Sequence, residues 1–420
     1  MPESVQKFIK VNVDELSEGM YVSKLDRPWT DTPFLFQGFR IESGQEIDEL
    51  KQHCQYVFVD QDKSTGIGAS LSSASWQNTI VDSTTTTAPN CAAPTSNEFR
   101  HHMKHALKVH ANAKSYINKI MADVRGGRQV NIREAKSLVS SLAKDIVENP
   151  TALMWLTQLK DRDEYTSIHS LNVCILALFF GRSLQLDNGQ LNELGLGALM
   201  HDIGKLRVPL EILNKPGRLT DEEFDIMKQH AAHGYELLKT RSELTQASLD
   251  VIQHHHERID GNGYPFGLVD EQIGLYSKIV KIVDVYDAVT SKRVYQAEVP
   301  PYHALNCIYS DRNSAFDESL VQQFLKHMGI YPVGSTVELS TGEIGVVTTV
   351  NEKRHLTPTL LLVLDPDKQP MNQCRYINLA NDHWKDKENR PRIRQVINPV
   401  DYNLDVSRIF SKEAISIAHA

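Results

Sequence analysis

No stretch of the 420-residue chain reaches the run of about 20 apolar residues needed to span a bilayer. The most apolar segment, LNVCILALFFG at 171–181, is short and follows polar residues, so it reads as a buried helix. The opening MPESVQKFIKVNVDEL has no basic region followed by an apolar run, so no secretory signal is expected. A soluble, cytoplasmic protein that does not bind membranes is the resulting expectation. Cysteine is sparse: Cys54, Cys91, Cys174, Cys307 and Cys374 are scattered, odd in number and form no C-x-x-C pair, which argues against a disulfide framework and for free thiols. Positive charge is in deficit, 45 Lys and Arg against 53 Asp and Glu for a net charge of -8, and this excludes the broad basic footprint that a nucleic acid polymer demands. A small anionic ligand stays open where cations gather locally. No internal repeat of the length that signals a solenoid is present.

What is there divides by composition. Residues 1–62 carry short alternating stretches (FIKVNV, YVSKL, YVFVD) with Gly and Pro turns, the pattern of a small α/β domain. Residues 63–97 are rich in Ser, Thr, Ala and Gly, include TTTT at 84–87 and read as a linker. Helical spacing begins around Phe99, with Tyr116, Ile117, Ile120, Met121 and Val124 on one face, so residues 98–149 are expected to be connecting helices. Helical patterns continue over 150–330, interrupted by turns at Lys215-Pro216-Gly217 and from Asp260 to Pro265. After Tyr331-Pro332, STVELS, EIGVVTTV and TLLLVLD read as strands of a β-rich extension over 331–420. The fold class is multidomain and mainly α.

Five separated stretches of the helical region hold metal-competent side chains: His169 in YTSIHS, His201-Asp202 in LMHDIGK, His230 in MKQH, His255-His256 in HHHERIDGNGYP, and Asp284 in KIVDVYDA. Imidazole and carboxylate together suit a divalent transition metal better than calcium or magnesium, which prefer all-oxygen shells. Each residue alone reads as an ordinary structural histidine or surface acid, and only the combination points to a metal. Adjacent residues on a helix lie about 100° apart, so His201 and Asp202 face one cavity only if it holds something for both. An unpaired Asp after the apolar ELGLGALM would cost several kcal/mol, which a cation removes.

These residues and their spacing resemble the HD-GYP family of phosphodiesterases over 150–330. The signature stands as His201-Asp202-Ile203-Gly204-Lys205 and as His255-His256-Glu257-Arg258 through Asp260-Gly261-Asn262-Gly263-Tyr264-Pro265, with supporting matches at Lys215-Pro216-Gly217, at His230 followed by Gly234, and at Asp284-Val285-Tyr286-Asp287-Ala288. GMYVSKLDRPWTDTPFLFQGF at 19–39 looks like the domain of unknown function that precedes HD-GYP in many such proteins. The resemblance implies an α-helical HD-superfamily domain and a cytoplasmic, metal-dependent hydrolase of a bacterial cyclic dinucleotide, cyclic di-GMP or 3′,3′-cyclic GMP-AMP. It implies metal ligands at His169, His201, Asp202, His230, His255, His256 and Asp284, with Asp202 bridging two divalent ions, iron or manganese, and zinc or nickel as alternatives. Two cations about 3.5–4 Å apart lower the pKa of solvent between them and so supply a nucleophile.

By the same resemblance Lys205 and Arg293 contact phosphate. The family's usual R-P-Y-R stands here as Arg293-Val294-Tyr295-Gln296, which removes a second basic contact. Tyr264 and Pro265 would line the cavity mouth, as a base contact or as a lid. Some family members hold a third metal through a glutamate one helical turn before the first histidine. That position is Tyr165, a poor ligand, so two metals are expected. His254 and His233 fall outside the ligand pattern, His101, His102, His105 and His110 read as solvated, and Asp287 reads as a support for the helix carrying Asp284. Diguanylate cyclase proteins as partners and a homodimer are further implications. A catalytically weak cyclic-dinucleotide sensor and a wider HD-type mononucleotide phosphohydrolase are the competing readings.

Overall fold

The computed structural model describes residues 8–26, 39–41, 44–60, 64, 97–159, 165–291, 299–351, 354, 356–380 and 390–419. Two compact units divide the chain, Met1–Asn90 and Cys91–Ala420. In the first, β1 (Phe8–Asn12), β2 (Tyr21–Leu25), β3 (Phe39–Arg40), α1 (Gly44–His53) and β4 (Tyr56–Asp60) build a four-stranded antiparallel sheet in the order β1-β4-β2-β3. Alternate residues Val57 and Val59 point into a core with Val11, Val22, Ile41 and Leu50, as the period of 2 requires.

The second unit opens with α2 (Asn97–Arg125), α3 (Ile132–Glu148), α4 (Pro150–Leu156), α5 (Tyr165–Ser183) and α6 (Asn188–Met200). A 3-10 turn (Ile203–Arg207) leads into α7 (Leu210–Leu213), α8 (Asp221–Lys228), α9 (His230–Leu238), α10 (Gln246–His254), α11 (Leu275–Thr290), α12 (Pro301–Ser310) and α13 (Glu318–Met328). From Ile168 to Leu178 the residues of α5 are buried all round, and the apolar residues of α6 are buried with them, as expected of helices without a polar face. Asp187 caps α6 through a reciprocal capping box with Gln190. The α6 helix ends at Met200, so His201 is its C-cap and Asp202 lies beyond it at φ -98°, ψ 5°. The two therefore do not share a regular helix as the sequence suggested; a tight turn aims them instead.

The chain closes with β5 (Thr336–Leu339), β6 (Ile344–Thr349), β7 (Thr359–Leu364), β8 (Pro370–Asn378) and β9 (Ile393–Val396), an antiparallel sheet in the order β8-β7-β6-β5-β9 around Tyr331, Val337, Val347, Leu360 and Leu362. A last helix, α14 (Val406–His419), was not legible as a helix in the β-rich reading of this region. It packs on α2, and Phe410 meets Trp155 of α4 with ring centroids 4.6 Å apart. Among the described residues no helix is long and apolar enough to cross a membrane.

His110 corrects another expectation. It is buried on α2, with no hydrogen bond at Nε2, and burial with Lys114 nearby lowers its pKa to about 4. His105 is exposed and pairs with Asp145 Oδ1 at 3.0 Å. The His101 and His102 side chains lie outside the described residues.

Because Phe410 and Trp155 are both fully buried, Phe410→Ala should leave a cavity and cost about 3–5 kcal/mol. A lowered denaturant midpoint for the second unit, followed by Trp155 fluorescence, is the expected result.

Candidate metal centre

Five helical elements bring their polar ends to one place. His169 comes from α5, His201 and Asp202 from the end of α6 and its turn, His230 from the first residue of α9, His255 and His256 from the end of α10, and Asp284 from α11. Asp202, His230, His255 and His256 each offer a ligand atom within 4.8 Å of the others, and so do His169, His201 and Asp284. Asp202 stands between the two groups. Its Oδ1 faces His230 Nε2 at 3.4 Å and His255 Nε2 at 3.9 Å, while Oδ2 faces His201 Nε2 at 3.3 Å and His169 Nε2 at 3.7 Å.

The protons of these rings are committed elsewhere. His201 Nδ1 donates to Ala198 O at 2.7 Å, His230 Nδ1 to Met227 O at 2.8 Å, and His255 Nδ1 to Val251 O and Ile252 O, both at 3.1 Å. With Nδ1 as the donor, Nε2 of the neutral ring is a bare lone pair. Yet His230 Nε2 and His255 Nε2 lie 3.3 Å apart, and His201 Nε2 and Asp202 Oδ1 are buried without a hydrogen bond. Acceptors converging on acceptors in a buried site are unfavourable unless a cation sits among them. The donor set of neutral imidazole and carboxylate fits a divalent transition metal.

The electrostatics agree. Burial lowers the pKa of His230 to about 4 and pushes His255 and His256 well below the usual imidazole range, so all three are neutral at pH 7. Burial would raise Asp202, but His201 and Lys205 outweigh it and hold the carboxylate well below its ordinary value. Asp284 is held down likewise, with burial opposed chiefly by the hydrogen bond from His169. Burial also opposes protonation of His169, but Asp284 Oδ1 at 3.0 Å from Nε2 and Asp287 Oδ2 at 2.8 Å from Nδ1 raise its pKa to about 9. Lys205 Nζ donates to Asp202 Oδ2 at 2.5 Å from the rim.

Two groups escaped the sequence reading. Asp287 was assigned to its own helix, but its Oδ2 accepts from His169 Nδ1 and its Oδ1 from Asn172 Nδ2 at 3.0 Å, so it orients the ring from 118 residues away. The D-x-x-D spacing on α11, which puts Asp284 and Asp287 on one face, is the signal that could have found it. Glu257 is fully buried, and its two oxygens accept from the backbone N–H of Phe266 at 2.7 Å and Leu268 at 3.0 Å, fastening the loop that carries Tyr264 and Pro265. Tyr264 stacks on His256 with centroids 4.6 Å apart and planes at 30°. Gly204 has no room for a side chain: a Cβ there would lie 1.9 Å from His230 O, so the turn after Asp202 presses directly on α9. His254 packs edge-on against Phe266 and stands outside both groups, as does His233. Arg293 and Gln296 lie outside the described residues, as does the side chain of Tyr165.

Removing the carboxylate behind His169 by Asp287→Ala should weaken metal binding about 10- to 100-fold, measurable by titration with a chelating indicator. Proton and metal compete for His169 Nε2. A pKa raised to about 9 keeps the metal-free ring charged below that pH, so metal affinity should rise as pH climbs from 6 towards 9. Calorimetry in buffers of different ionisation enthalpy should record the proton released on binding.

Comparison with known proteins agrees with this architecture. Residues 145–320 match the HD domain family, and residues 8–135 match a domain of unknown function, DUF3391. A cyclic di-GMP phosphodiesterase of Pseudomonas aeruginosa is 36% identical over 353 residues, covering 83% of this chain and 83% of that protein. The cyclic di-GMP phosphodiesterase response regulator RpfG of Xanthomonas campestris is 34% identical over 194 residues, 46% of this chain and 51% of that protein. The 3′3′-cGAMP-specific phosphodiesterase 3 of Vibrio cholerae is 32% identical over 171 residues, 41% of this chain and 37% of its own. With both signature segments present and a relative matched along most of its length, the chain belongs to the HD-GYP family of phosphodiesterases.

Proposed function

We propose that the protein hydrolyses a phosphodiester bond of a cyclic dinucleotide, cyclic di-GMP first and 3′,3′-cyclic GMP-AMP second, at a centre of two metal ions. The observation that carries this reading is the division of the Asp202 oxygens between two groups of imidazole nitrogens, Oδ1 towards His230 and His255 and Oδ2 towards His201 and His169. Cyclic di-GMP takes precedence because the relative that matches 83% of the chain is a phosphodiesterase for it.

In this reading His230, His255 and His256 would hold one ion and His169, His201 and Asp284 the other, with Asp202 placed to serve both. Iron or manganese suits such a mixed shell. Bound there, the ions supply Lewis acidity towards the phosphoryl oxygens and an activated water. The chain's own groups do the rest. Lys205, one-quarter exposed at the rim, can swing its ammonium from Asp202 to a non-bridging phosphate oxygen and offset charge that gathers there. Burial and the charges of Asp202 and Asp284 raise the Tyr264 pKa, so its hydroxyl stays a donor at any working pH. Arg293 is assigned to the same phosphate or the next, as a guanidinium grips phosphate through paired N–H bonds.

Incubation of metal-loaded protein with each cyclic dinucleotide, followed by chromatography, tests the proposal, and a linear dinucleotide is the expected product. Elemental analysis of anaerobically prepared protein should give about two metals per chain. Asp202→Asn replaces one bridging oxygen by an N–H donor and should reduce turnover below a tenth of wild type, with loss of metal. His254→Ala should keep metal and most of its turnover; an emptied site in that variant would show the ligand assignment to be displaced.

A further inference from the structure

The helix α8 ends at Lys228, two residues before His230, and carries no buried residue. It nevertheless places a large aromatic ring in solvent: Phe224 is 46% exposed. The helix is held in place by more than that ring. Thr220 and Glu223 form a reciprocal capping box at its N-terminus, and Lys215 Nζ grips Glu223 Oε2 at 2.5 Å. A ring on so fixed a support is a preorganised surface.

Its neighbours lead to the metal centre. Phe224 stands edge to face with Tyr264, centroids 6.3 Å apart and planes at 82°. Tyr264 in turn stacks on His256, which uses one of its own faces. Phe224 thus stands one ring beyond Tyr264 in a line of aromatic contacts that ends on His256 of the His and Asp cluster. Lys228 Nζ lies over the Phe224 ring 5.2 Å from its centroid while pairing with Asp225 at 2.5 Å, so a base stacking there would share the ring with, or displace, that ammonium.

We infer that Phe224 is a purine platform: one nucleobase of the cyclic dinucleotide stacks on its exposed ring while that nucleotide's phosphate lies at the metal centre. This rests on the proposed hydrolysis of a cyclic dinucleotide and adds to it a residue that contacts the base. Every base has a π-face, so such a platform supports both guanine and adenine and raises affinity without choosing between them.

Steady-state kinetics of the full-length, metal-loaded protein test this with Phe224→Ala, Phe224→Leu and Phe224→Trp on cyclic di-GMP and cyclic GMP-AMP. Stacking lost equally from bound substrate and transition state should raise KM about 5- to 100-fold in Phe224→Ala, with kcat within about twofold of wild type. Metal content should be unchanged, and Phe224→Trp should recover most of the affinity while Phe224→Leu does not. An unchanged KM in Phe224→Ala overturns the platform and leaves the proposed activity standing. So does recovery by leucine as full as by tryptophan, which would mean apolar bulk and not stacking, or a KM rise that tracks metal loss. A wild-type protein that opens neither ring overturns the proposed activity, and the platform falls with it.

Discussion

Asp202 is a buried carboxylate whose two oxygens each face two imidazole nitrogens, and the rest of the helical unit is arranged to make that tolerable. Without positive charge between them, the carboxylate and the lone pairs repel, and a buried unpaired charge costs several kcal/mol. Positive charge gathers around it from the chain's own groups: the Lys205 ammonium on Oδ2 and the proton that Asp284 and Asp287 favour on His169. A divalent ion held there would take the place of both. The side chains that would hold it come from α5, from the ends of α6 and α10, from the start of α9 and from α11, so binding would tie these helices at one point and stabilise the folded state by mass action.

The close approach of Gly204 to His230 gives this centre its rigidity. A side chain at 204 would collide with the α9 backbone, so the turn that aims Asp202 and the helix that presents His230 move together. Exchanging Gly204 for any other residue would push the Asp202 turn away from the backbone at His230. The glycine therefore sets a distance and does not merely permit a turn.

The metal-competent side chains were legible in the sequence because residue type carries the chemistry: few buried helices have any other use for so many histidines and aspartates. Their supports were less so. Asp287 acts on His169 across 118 residues, and Glu257 acts on amides with no side-chain identity to read. His110 was misjudged because its helix is covered by the rest of the unit along that face as well, which local periodicity does not register. The end of α6 at Met200 shows the same limit, since boundaries depend on tertiary contacts such as that at Gly204. The small sheets at both ends were readable from alternation, whereas α14, joined to a β-rich run, was not.

The two oxygens of Glu257 reach amides 9 and 11 residues onward, and this makes the intervening loop a closed ring of fixed circumference. A surface loop ordinarily absorbs insertions at small thermodynamic expense. Here an added or deleted residue would leave a fully buried carboxylate short of a donor, so the number of residues between 257 and 268 is constrained along with their identity. Anyone transplanting this loop into another scaffold must carry the glutamate and the length together.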